Sequence, residues 1–119
     1  MNVSNEERMT EPIPVLKGTL DVLVLKALSF APRHGLEITD WLTERSGGRL
    51  GFDESAVYQA LYRMEGRGLV EAEWGVSDHN RRARYYRITE AGEGHLRDET
   101  RQLVRFGDLL KAILTEATA

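Results

Sequence analysis

Two neighbouring stretches hold the residues best suited to chemistry. Arg81-Arg-Ala-Arg-Tyr-Tyr-Arg87 gathers four arginines and two tyrosines within seven residues. A guanidinium presents N–H donors in a planar fork that fits phosphate oxygens, and a phenol adds a neutral donor beside it. Upstream, Glu54-Ser-Ala-Val-Tyr-Gln-Ala-Leu-Tyr-Arg-Met-Glu65 sets an apolar stripe of Val57, Leu61 and Met64 against Ser55, Gln59 and Tyr62, with Tyr58 and Arg63 flanking. On a helix, the second group forms one outward surface of hydroxyls, an amide and a cation. Hydroxyls and arginines reach phosphates, and an amide pairs with a base edge. Both stretches suit a polyanion, and double-stranded DNA fits them best.

Competing chemistries lack their parts. There is no cysteine, which excludes disulfides and thiolate metal sites and suits a reducing cytoplasm. His34, His79 and His95 share no metal-ligand spacing, and Ser46-Gly-Gly48 lacks the Lys-Ser/Thr that completes a phosphate loop. No enzyme, metal or cofactor is expected. The net charge of -3 argues against a generic nucleic-acid binder, but the charge is unevenly placed. Asp78 to Thr89 carries four arginines against one acid, whereas the N-terminal arm to Val15 and the segment from Glu90 onward are each acidic by two charges. Contact with DNA must therefore be local and shaped. The overall acidity also supports an alternative, a winged-helix protein-interaction module that does not bind DNA.

These residues need elements to hold them. Met1 to Pro14 is polar and acidic, lacks the apolar run of a signal peptide and reads as an arm of low order (residues 1–14). The apolar stretch from Leu20 to Phe30 is interrupted by Asp21 and Lys26 and is too short to span a bilayer. Val15 to Phe30 has helical spacing and is apolar on more than one side, so its second side is expected to meet another subunit. Thr19 is expected to cap this helix. His34-Gly35 leads into a second helix, Leu36 to Arg45, and His34 reads as its entry residue, capping or packing. Leu50 and Phe52 suggest a short strand. A third helix runs from an Asp53 or Ser55 cap to about Glu65. Leu69 to Val76 and Arg84 to Ile88 alternate around Ser77-Asp-His-Asn80, as a β-hairpin does. On the second strand Arg82, Arg84 and Tyr86 share one face, and Ala83, Tyr85 and Arg87 the other. Trp41 and Trp74 are expected in the core. From Thr89, a last helix carries Leu96, Leu103, Phe106, Leu110 and Ile113 as a heptad-like seam for a partner copy.

The order of elements specifies an α+β fold: a winged helix-turn-helix domain over residues 15–89, followed by a dimerisation helix over 90–119. The third helix would enter the major groove and the hairpin would be the wing. Candidate DNA contacts are Ser55, Tyr58, Gln59 and Arg63 on the helix and Arg81, Arg82 and Arg84 near the wing tip. Tyr85 or Tyr86 is expected to pack inward, and Arg87 to be structural.

The motifs resemble, in order, those of the PadR family of transcriptional regulators. The resemblance rests on Leu16-Lys-Gly-Thr-Leu-Asp21, Leu25-Lys-Ala-Leu28, Pro32-Arg-His-Gly35, Ser55-Ala-Val-Tyr58, Leu61-Tyr-Arg-Met-Glu65, Gly68-Leu-Val70, Arg81-Arg-Ala-Arg-Tyr-Tyr-Arg-Ile-Thr89 and Gly92, and covers about residues 15–106. The short tail is similar to the compact branch with one C-terminal helix. The resemblance implies a cytoplasmic homodimer, usually a repressor, that binds a palindromic operator and responds to a small-molecule effector. One position departs from the pattern: Gln59 stands where the family often has proline, and a glutamine reads an adenine edge where proline does not.

Overall fold

The computed structural model describes residues 11–16 and 18–116; most of the expected N-terminal arm (residues 1–10) and Lys17 lie outside them. The elements follow in the order β1 (Ile13–Pro14), α1 (Leu20–Leu28), β2 (Arg33–His34), α2 (Gly35–Arg45), β3 (Leu50–Gly51), α3 (Glu54–Gly66), β4 (Val70–Val76), β5 (Arg82–Ile88) and α4 (Glu90–Leu114). This is the α+β winged helix-turn-helix: α2 and α3 form the helix pair, and the β4–β5 hairpin is the wing.

Local chemistry sets most boundaries. Gly18 takes a φ of +91°, which an L-residue resists, and α1 starts only after it. Thr19 stands at the N-cap of α1 without capping it, because its hydroxyl donates to the Leu16 carbonyl at 2.6 Å. At the other end, the Arg33 side chain donates from Nε to the Ala27 carbonyl at 3.0 Å and satisfies one terminal acceptor. His34 is the entry residue expected of it. Its Nδ1 accepts from the Glu37 amide at 3.2 Å while Glu37 Oε1 accepts from the His34 amide at 3.1 Å, a reciprocal capping box. Asp53 caps α3 by accepting from the Ser55 amide at 3.0 Å. Gly68, at φ +74°, ends that helix as the Leu69 amide donates back to the Met64 carbonyl at 2.9 Å.

Two very short pairings escape the periodic pattern. β1 pairs in parallel with β3, so Ile13 and Pro14 belong to a strand rather than to the arm. β2 pairs antiparallel with β5, Arg33 opposite Tyr86 and His34 opposite Tyr85, so the sheet runs β2-β5-β4. The wing is thereby fastened to the start of α2.

The core lies between the helices and the base of this sheet. Val24, Leu25, Ile38, Val57, Leu61, Met64 and Val70 are its fully buried large side chains. Burying each contributes about 1.5–3 kcal/mol, so Val57, Leu61 and Met64 together fix the rotation of α3 and which residues it turns outward. α1 is covered on nearly every side by this chain alone, with contacts to α2, α3, α4 and β5. Its second apolar side, expected to meet another subunit, is satisfied within the monomer.

Thr89 ties α4 to this core. Its hydroxyl accepts from the Gly92 amide at 3.0 Å and donates to the Gly68 carbonyl at 2.7 Å. Gly92 sits so close to the chain that a Cβ there would be 2.1 Å from the Leu69 carbonyl oxygen. Leu96 is buried in the chain's own core and Leu103 packs against its edge, so Leu96 leaves the expected seam. Every residue from Val104 to Glu116 is exposed, among them Val104, Phe106, Leu109, Leu110, Ile113 and Leu114.

Candidate nucleic-acid interface

With its inner stripe buried, α3 turns Glu54, Ser55, Tyr58, Gln59, Tyr62 and Arg63 toward solvent as one open, shallow surface. Ser55, Tyr58, Gln59 and Arg63 are thus brought together as the sequence suggests, and Tyr62 joins them at 76% exposure. Tyr58 is not loosely held. Its ring lies across Gly35 at the start of α2, where a Cβ would come within 2.4 Å of Cε1. Partial burial, with Glu54 and Tyr86 nearby, raises its pKa above the ordinary tyrosine value, so the hydroxyl remains a donor. Arg63 reaches across to α1 and pairs with Asp21 at 2.9 Å. The guanidinium is still 56% exposed, so Asp21 orients it without enclosing it.

The wing divides its arginines into different states. Its tip is closed by the Ser77 amide donating to the Arg81 carbonyl at 2.8 Å, with Asn80 in the left-handed region at φ +58°. Arg81 is exposed there and makes no ion pair among the described residues. Arg82 lies over the Trp74 ring at 4.5 Å. Arg84 is engaged: it pairs with Glu65 in the last turn of α3 at 2.7 Å and lies over the Tyr86 ring at 5.6 Å. Expected as a free cation, it is instead a strut between wing and helix. Arg87 pairs with Glu71 on the neighbouring strand, which raises its pKa further.

Of the two tyrosines, Tyr86 is the inward one, at 5% exposure. Tyr85 stays at the surface of the sheet, with its ring edge-on to His34 at 5.3 Å and its hydroxyl donating to the Val76 carbonyl at 3.3 Å. Trp74, expected in the core, is 57% exposed, because β4 has by then run past the helices that cover Val70. Sequence reasoning missed this residue and Glu65. The cross-strand register that sets Trp74 opposite Arg84 was the missing information.

The profile of the transcriptional regulator PadR-like family matches residues 24–98, from the middle of α1 into α4. The chain belongs to that family. A PadR family transcription regulator from Clostridium difficile is 26% identical, with a TM-score of 0.69 over 82% of this chain and 99% of that one. A padr family transcriptional regulator from Eggerthella lenta is 27% identical, with a TM-score of 0.71 over 85% and 86% of the two chains. An uncharacterized protein from Lysinibacillus sphaericus is 28% identical over 81% of this chain and 88% of its own. Bacillus subtilis PadR, whose structure is of a complex with operator DNA, shares the fold at 21% identity and a TM-score of 0.62, over 69% of this chain and 47% of that chain. This PadR-like chain therefore stands among transcriptional regulators, and α3 and the wing are its parts most exposed for an encounter with DNA. No described helix is long and apolar enough to cross a membrane.

Proposed function

We propose that this chain is a dimeric, DNA-binding transcriptional regulator, a repressor that holds a palindromic operator and leaves it when a small-molecule effector binds. The observation that carries the reading is the two-sidedness of α3: Val57, Leu61 and Met64 fully buried, and Ser55, Tyr58, Gln59 and Arg63 all turned outward. An ordinary core helix needs no such concentration of donors on its free side. In this reading α3 lies in the major groove, where Gln59 pairs with a base edge and Ser55, Tyr58 and Arg63 fix register. Arg81 and Arg82 hold the flanking backbone, and Arg84 sets the angle between wing and helix. The complex of Bacillus subtilis PadR with operator DNA supports the assignment of partner.

The dimer is proposed through α4. Leu103, Phe106, Leu110 and Ile113, joined by Val104 and Leu109, line a helix with no partner in the chain from Val104 on. A second copy packed along it removes that apolar surface from water and sets two α3 helices about one turn of DNA apart. Selection of genomic fragments by the purified protein, with its mass in solution measured alongside, tests both parts. A dimer that enriches fragments with a two-fold symmetric sequence is expected; a monomer, or a dimer that enriches none, refutes the reading.

A further inference from the structure

The wing has two unlike faces. One carries Glu71, Glu73, Ala83, Tyr85 and Arg87, and Arg87 already pairs with Glu71. Glu73 is left as an exposed acid, so this face repels a polyanion. The other carries Val70, Ala72 and Tyr86 at its base, then Trp74 beside Arg84, and finally Val76 beside Arg82. Its base is core, but beyond Arg84 it projects past the helices, leaving Trp74 57% and Val76 67% exposed. This face is also continuous with α3, because Arg84 on it reaches Glu65 of the recognition helix at 2.7 Å. Glu65 neutralises Arg84, so the unpaired positive charge on the projecting part belongs to Arg82.

We infer that Trp74 is itself a DNA-contacting residue: its indole and the Arg82 guanidinium at 4.5 Å form a platform that docks on the sugar–phosphate edge of the duplex next to the groove taken by α3. An exposed tryptophan on a surface strand costs solubility unless something covers it. Charge complementarity and continuity with α3 name the cover. Stacking on the ring holds the guanidinium in one plane and leaves its edge N–H groups for phosphate oxygens. The indole supplies flat apolar area for deoxyribose, which carries no charge to be matched. The inference rests on the proposed function, and Trp41 makes the two separable, since the chain has only these two tryptophans.

The W41F protein leaves Trp74 as the sole tryptophan. Its emission and its quenching by acrylamide are recorded while binding of a dye-labelled duplex, taken from the genomic selection, is followed by anisotropy. At saturation the Trp74 emission should shift to the blue and acrylamide quenching should fall. Separately, W74A should bind roughly tenfold more weakly, the scale of a desolvated cation–π contact, and W74F should recover most of that loss. Circular dichroism of W74A and W74F establishes that each is folded. Saturated binding with Trp74 emission and quenching unchanged overturns the inference and leaves the proposed function standing. Failure of W41F and of the unsubstituted protein to bind any duplex overturns the proposed function, and the inference with it.

Discussion

Gly35→Ala offers a way to disturb the proposed reading surface without touching a residue that reads. A Cβ at Gly35 would lie 2.4 Å from Cε1 of Tyr58, 2.5 Å from Cζ and 2.7 Å from the hydroxyl oxygen. Ordinary carbon contacts fall near 3.5–4.0 Å, so the ring must retreat by about 1 Å or more. Overpacking a sealed core costs about 1–3 kcal/mol, but this ring is the far end of a flexible side chain and 44% exposed. It can swing outward, so the stability loss should stay below about 1 kcal/mol, or less than about 8 °C in Tm. Binding should suffer more. A displaced hydroxyl forfeits about 1 kcal/mol per subunit, hence about 2 kcal/mol and roughly thirtyfold in affinity for a dimer. Anisotropy with labelled operator and a thermal melt on the same sample measure both quantities, and Tyr58→Phe, which keeps the ring but lacks the hydroxyl, should lose a similar affinity. Unchanged affinity in folded Gly35→Ala would remove Tyr58 from the DNA contact. A collapse in stability would show that the ring is not free to swing.

Three further outcomes follow from the packing. Gly92→Ala places a methyl 2.1 Å from the Leu69 carbonyl oxygen and 2.8 Å from Ile88 Cγ1, neither of which can withdraw, and should cost about 3 kcal/mol and more than about 10 °C in Tm. Gly94→Ala, whose methyl meets only the end of Arg97 at 3.7 Å, should instead gain about 0.5–1 kcal/mol on the same melt. Glu65→Gln releases Arg84; because that pair is 30–39% exposed the stability change should be under about 1 kcal/mol, while the log–log salt slope of DNA affinity should steepen by up to about one unit per wing. Ile113→Asp puts a charge in the exposed α4 seam and should give monomers by sedimentation, with the chain still folded because Ile113 touches no part of the core.

The features legible in the sequence were those set by neighbours in the chain. Asp53, Thr89 and His34 cap their helices through groups two or three residues away, and the stripe Val57, Leu61, Met64 orients α3 by periodicity alone. The harder features depend on partners far along the chain. The pairing of Arg33 and His34 with Tyr86 and Tyr85 involves a two-residue strand, too short to show alternation. The α4 pattern could not distinguish a residue facing the chain's own core from one facing another copy, so Leu96 was grouped with Leu103 and Phe106 although only the first is buried. Arg82 and Arg84 look equivalent by alternation, yet one rests on Trp74 and the other is held by Glu65, nineteen residues earlier.

The central claim is that two α3 helices of one dimer read successive major grooves while the wings grip the backbone beside them. Methylation interference at guanine N7 on a selected fragment, read across both strands, tests it most directly, because that atom lies in the major groove. The account predicts two clusters of interference related by two-fold symmetry, with centres about 10 base pairs or a small multiple of that apart. A single cluster, or binding indifferent to methylation at every guanine, would contradict it.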